Sequence, residues 1–121
     1  MWFQGFNDMV GPYPRTEPNK GKKSTKDFSE YSRLLSCFIR NVRKDLNAPE
    51  LPFVVGVLGV GGKEAGAGTE AFRQGMAAPA MSDEFKGNGA NVFTENYWPT
   101  ETDAVQKKVN QVKKPFSTAS Y

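Results

Sequence analysis

An α/β fold with a mostly parallel sheet follows from three observations. Residues 53–58 form a continuous apolar run without alternation, which is how a strand covered on both faces reads. An apolar stripe at three- and four-residue spacing precedes that run over residues 27–45. Strand-like and helix-like segments then alternate along the chain, as βαβ units require. At 121 residues the chain is of single-domain size, enough to bury roughly two-thirds of its unfolded surface.

Trp2-Phe3-Gln4 reads as the end of a strand running into a turn at Gly5-Phe6-Asn7-Asp8. Glycine and Asn/Asp tolerate unusual backbone angles and close such turns themselves. The strand is short, as though its beginning were missing. From Met9 to Lys26 no period survives, and a structureless segment of that length is usually functional or disordered. Residues 27–45 are the clearest element, with Phe28, Tyr31, Leu35, Phe38, Ile39 and Val42 on one stripe. Asp27, with Glu30 three residues later, is placed to cap this helix at its positive end. Asn47-Ala48-Pro49 and Pro52 stop it.

The apolar run ends in Gly59-Val60-Gly61-Gly62, and a Gly-rich loop continues to Gly68. Thr69 is placed to cap a short helix through Ala78, with Phe72 and Met76 facing inward. Asn91-Val92-Phe93-Thr94 is a candidate third strand. Residues 100–114 read as a last helix, with Val105, Val109 and Val112 on one side and Pro115 just beyond. Ligands of parallel α/β sheets gather outside the carboxyl ends of the strands. Those ends are residues 5–8, 59–62 and 94–98.

The net charge of +3 is modest, and much of the excess is Lys20, Lys22, Lys23 and Lys26 within one loop. A nucleic-acid interface wants basic residues along a face, interleaved with aromatics, so these lysines read as a solvated loop. The longest strongly apolar stretch, residues 53–60, is far too short to span a bilayer. Met1-Trp2-Phe3-Gln4 lacks the basic start and apolar run of a signal peptide. A single cysteine, Cys37, excludes an internal disulfide and a cysteine-based metal site, and it lies off the apolar stripe. Arg40 and Arg43 read as a solvated helix face.

Several catalytic signatures are excluded. The chain has no histidine, so no Ser-His-Asp or Cys-His arrangement can form within it. No serine has glycine two residues before it, which removes the nucleophile elbow, and there is no S-x-x-K pair. Gly59-Val60-Gly61-Gly62-Lys63-Glu64 is not a phosphate loop. Val57 sits where the first glycine of that motif belongs, and Glu64 replaces its Ser/Thr.

Trp2-Phe3-Gln4-Gly5-Phe6-Asn7-Asp8 resembles the G-x-N-D block of SGNH hydrolases, preceded by the W-x-Q-G lead of sialate O-acetylesterase-like domains. The resemblance continues through Phe38-Ile39-Arg40-Asn41-Val42-Arg43-Lys44-Asp45, the 52–62 segment and Phe72-Arg73-Gln74-Gly75-Met76-Ala77-Ala78-Pro79-Ala80. It reaches Phe85-Lys86-Gly87-Asn88 and Tyr97-Trp98 and fades after about Lys114. It implies residues 1–114 as a partial domain of a flavodoxin-like, three-layer sandwich, truncated at both ends, and residues 115–121 as a tail of unclear origin.

The function implied is ester hydrolysis on acetylated sugars, with no metal or organic cofactor. The partner is an acetylated carbohydrate, without nucleic acid or membrane. In that family the block around Asn7 supplies an oxyanion hole, with Asn7 donating its side-chain amide, Gly5 a second element of the hole and Gln4 a rival for Asn7's role. A turn merely capped by Asn7 is the other reading of the same residues. Thr94, Glu95, Tyr97 and Trp98 are candidate substrate contacts, an aromatic ring stacking on a sugar and the polar pair holding hydroxyls. Trp98 packed under the final helix is the alternative. The serine block would precede Met1 and the histidine would follow Tyr121, so the 121 residues alone are expected to be inactive. A non-catalytic remnant that binds carbohydrate or protein through the same face is the rival function. The family is often secreted or periplasmic, but the sequence itself assigns no compartment.

Overall fold

The computed structural model describes residues 1–11 and 27–117. The four loop lysines and the end of the tail lie outside the described residues. Strand β1 (Phe53–Val57) is central. On one edge it pairs in parallel with β2 (Gly89–Phe93), Phe53 opposite Gly89 and Val57 opposite Phe93. On its other edge Trp2 forms a parallel bridge to Val55. The Trp2 N–H donates to Val54 O at 2.7 Å, and Trp2 O accepts from the Gly56 N–H at 2.7 Å. The strand expected over Trp2-Phe3-Gln4 is therefore a single bridge. The chain turns away at Gly5 into a short helix, α1 (Phe6–Val10), where a turn and a structureless segment were expected.

Three longer helices follow: α2 (Ser29–Asp45), α3 (Ala67–Met81) and α4 (Thr100–Ser117). Among the described residues the chain is thus mixed α/β, four helices with a two-stranded parallel sheet. α2 links the Trp2 bridge to β1, and α3 links β1 to β2. Both pack on one face of the sheet, as right-handed crossovers advancing in one direction require. The core joins Tyr31, Leu35 and Ile39 of α2 to Phe72, Met76 and Ala77 of α3 over Phe53, Val55 and Val57.

On the opposite face Val54 is half-buried and Ala90 and Val92 are exposed. The Phe3 ring lies over Gly56, where any Cβ would meet it. Among the described residues the helices cover only one face, which corrects the reading of residues 53–58 as covered on both. On its second face the run is partly sheltered by Phe3 over Gly56.

Element ends depart from the sequence expectation for local reasons. Asp27 Oδ1 accepts the Ser29 N–H at 3.0 Å, one position ahead of the N-cap residue Phe28. Glu30 engages Arg33 through both oxygens, at 2.6 and 2.8 Å. α3 begins at Ala67, so Thr69 lies within its first turn and is not its cap. The helix also continues through Pro79, past the expected stop at Ala78. Pro79 has no N–H for the carbonyl four residues back, and the Ser32 hydroxyl of α2 donates to that carbonyl, Gly75 O, at 2.7 Å. β2 starts at Gly89 and ends at Phe93, two residues early and one short of the expected strand. α4 runs past Pro115, whose fixed φ is itself helical.

Arg43 corrects another expectation. It continues the buried stripe of α2 with 9% exposure, and its guanidinium donates to Leu51 O at 2.9 and 3.1 Å and to Asn88 Oδ1 at 2.8 Å. Arg40, one turn earlier, is exposed as expected and forks onto Glu84 at 2.5 and 2.7 Å. Cys37 is half-buried, with the Arg40 guanidinium 3.7 Å from its sulfur.

Candidate functional site

Because Trp2, β1 and β2 run parallel, residues 5–8, 59–62 and 94–98 all leave the sheet at its carboxyl edge. The first of these turns is built on Gly5, whose φ of 147° strains any side chain. A Cβ there would sit 2.5 Å from Phe72 Cζ and 2.9 Å from the Tyr31 hydroxyl. Gly5 O accepts the N–H groups of Asp8 and Met9, each at 3.0 Å, which starts α1. Tyr31 holds the preceding residues: its hydroxyl donates to Gln4 O at 2.6 Å and accepts the Trp2 indole N–H at 3.0 Å. Burial pushes the Tyr31 phenol above its ordinary pKa, outweighing the indole bond that lowers it. Gln4 and Asn7 are exposed at this turn, while Gly5 is buried beneath them.

The 59–62 loop is fixed by an arginine that sequence reasoning passed over. Arg73 is 4% exposed, and its guanidinium donates to Leu58 O at 3.0 Å, Val60 O at 3.1 Å and Gly62 O at 2.8 Å. Glu70 supplies a counter-charge at 3.3 Å. The signal lay in its position, directly between the inward-facing Phe72 and Met76 on the buried side of α3. An arginine there must find acceptors.

The third turn is tied to β1. The Thr94 N–H and hydroxyl both donate to Val57 O, at 3.2 and 2.8 Å, so Thr94 anchors the backbone. Glu95 and Trp98 line a cleft of about 450 Å³ together with Gly62, Lys63, Asn96 and Asp103. Glu95 Oε2 is buried there without a hydrogen-bond partner. The Trp98 indole N–H bonds to Asp103 of α4, so Trp98 is held against the first turns of that helix. Tyr97, 82% exposed, stands outside the cleft lining.

The candidate residues therefore fall into two groups on one edge. Gln4, Gly5 and Asn7 sit beyond the Trp2 side of β1, and Glu95 and Trp98 sit in the cleft beside β2. That cleft is not lined by any of the first three. The first group presents two carboxamides, each with two N–H donors, and the second combines a carboxylate, a lysine and an indole. Among the described residues no group of three or more acidic, cysteine or histidine side chains is placed to hold a metal ion. Among them, too, no helix is long and apolar enough to cross a membrane. No protein-family model, curated protein or solved structure matches the chain.

Proposed function

We propose that this chain contributes the oxyanion-binding edge of a carbohydrate O-acetylesterase, of the sialate O-acetylesterase-like branch of SGNH hydrolases, with a three-layer sandwich as the parent fold. One observation supports this most: Gln4 and Asn7 stand exposed around a buried Gly5, at the same carboxyl sheet edge as the 59–62 loop. An attacked ester carbonyl becomes negatively charged at oxygen, and fixed donors aimed at that oxygen lower the barrier. Asn7 is the proposed side-chain donor, Gly5 a second element of the oxyanion hole, and Gln4 the alternative donor. The chain has no histidine, so on this reading the base, and with it the nucleophile, would be supplied from outside these 121 residues.

The test uses a longer polypeptide, if the same reading frame encodes one with an upstream serine block and a downstream histidine. Asn7→Ala lowers kcat by about 10²–10³-fold with KM nearly unchanged, because the donor acts on charge present in the transition state. If Gln4 carries the role, the loss appears in Gln4→Ala instead. Near-wild-type turnover in both variants and in the double variant would sink the assignment.

Sugar binding without turnover is the second reading, favoured by the cleft in which Glu95 offers an unpartnered carboxylate oxygen beside Trp98. Calorimetric titration of the 121-residue chain with acetylated sugars tests it. Saturable binding that Glu95→Gln abolishes supports it, and no heat at millimolar sugar rejects it.

A further inference from the structure

Two apolar surfaces of this chain lie uncovered, and they match each other. The first is the stripe of α4, where Val105 is 61% and Val112 67% exposed, with Val109 between them on the same side. An amphipathic helix ordinarily buries such a stripe. The second is an apolar groove of about 540 Å³ between the outer side of α3 and the open edge of β2. It is lined chiefly by Ala77, Ala78, Met81 and Phe93, with Met81 74% and Phe93 44% exposed.

Dimension and charge both fit. The α4 stripe is about 10 Å long from Val105 to Val112, and the α3 wall from Glu70 to Met81 is about 16 Å, at 1.5 Å per residue. Lys108 and Lys113 flank the valines, and residues 105–113 contain no acid. Glu70 stands at one end of the groove, with Asp83 just past the other end of its wall. A right-handed crossover leaving β2 would also lay its helix here, beside α3 on the covered face. The chain's own α4 is instead held elsewhere. Trp98 bonds to Asp103 in its first turns, and Gln106, Lys107 and Asn110 lie along the loop that enters α3.

We propose that the groove receives α4 of a second copy of this chain, and that reciprocal exchange closes a two-fold dimer. This is helix-in-groove recognition, with valine anchors in the apolar floor and lysines on the acidic ends. It does not depend on the proposed esterase role.

Sedimentation equilibrium on the 121-residue chain tests it, using substitutions at exposed positions so that folding is not challenged. Circular dichroism melts serve as the check. Wild type is expected to dimerise, and Val105→Lys on the helix and Met81→Lys in the groove are each expected to weaken association about tenfold or more. The decisive measurement is the mixture. Val105→Lys retains an intact groove and Met81→Lys an intact helix, so together they restore one of the two contacts and associate more tightly than either alone. A wild type that stays monomeric into the submillimolar range overturns the proposal, because α4 is then unpaired or folds back on its own groove. Dimers that survive Met81→Lys, or a mixture no tighter than its parents, place the interface elsewhere and overturn it equally.

Discussion

Arg43 and Arg73 show how far a charged residue's neighbours decide its part in the molecule. Arg40 and Arg43 sit on one helix, yet Arg40 makes an exposed pair with Glu84 while Arg43 is buried against the carbonyl and side chain of distant loops. Arg40→Ala should therefore cost only about 0.2–1 kcal/mol, the range of exposed ion pairs. Arg73→Met should cost about 2–3 kcal/mol in urea unfolding, because three carbonyls lose a charged donor. Faster amide exchange confined to residues 59–64 would show that the loss lies in the loop Arg73 holds. Tyr31 makes a prediction in pH. Burial raises its pKa above the ordinary 10.0, so its contribution to stability is complete below the unfolded value and is lost as pH rises through the folded one. Tyr31→Phe should destabilise the chain by about 1–2 kcal/mol at neutral pH. The gap from wild type should narrow in melts taken above about pH 10.

At the scale of the element, α2 and α3 are held together where each is locally imperfect. Pro79 breaks the hydrogen-bond ladder of α3, and Ser32 of α2 repairs it at Gly75 O. The two helices approach closely at that same residue, since a Cβ on Gly75 would lie 2.8 Å from Phe28 Cβ. Ser32→Ala should cost about 1–2 kcal/mol, as a carbonyl between two helices loses its donor. In a Pro79→Ala background the backbone N–H returns to Gly75 O, and the same substitution should cost markedly less. A double-mutant cycle measured by denaturant unfolding reads the coupling, and equal costs in both backgrounds would remove the explanation. The same pair shows why the end of α3 was hidden in the sequence. A proline ordinarily marks a helix stop, and only the partner helix reveals that its missing bond is replaced.

For the whole molecule, the chain carries exposed carboxamides at a sheet edge and no histidine. The 121 residues alone should show no turnover of p-nitrophenyl acetate above background, since neither histidine nor an elbow serine is present. Saturable turnover in a preparation shown free of other esterases would mean that a nucleophile has been overlooked. The sequence by itself determined the alternation of helix and strand, the stripe of α2, the apolar β1 and the three glycine- or amide-rich strand ends. Those are local patterns of period, turn chemistry and apolar run, which a chain displays before it folds. Only the tertiary structure decided that helices cover one sheet face, that Arg43 and Arg73 are buried, that Gln4 and Asn7 stand apart from the cleft of Glu95 and Trp98, and that the valines of α4 remain open. Each of these depends on which distant segment supplies a carbonyl, a ring or a wall, and contacts between residues far apart in sequence leave no period to read.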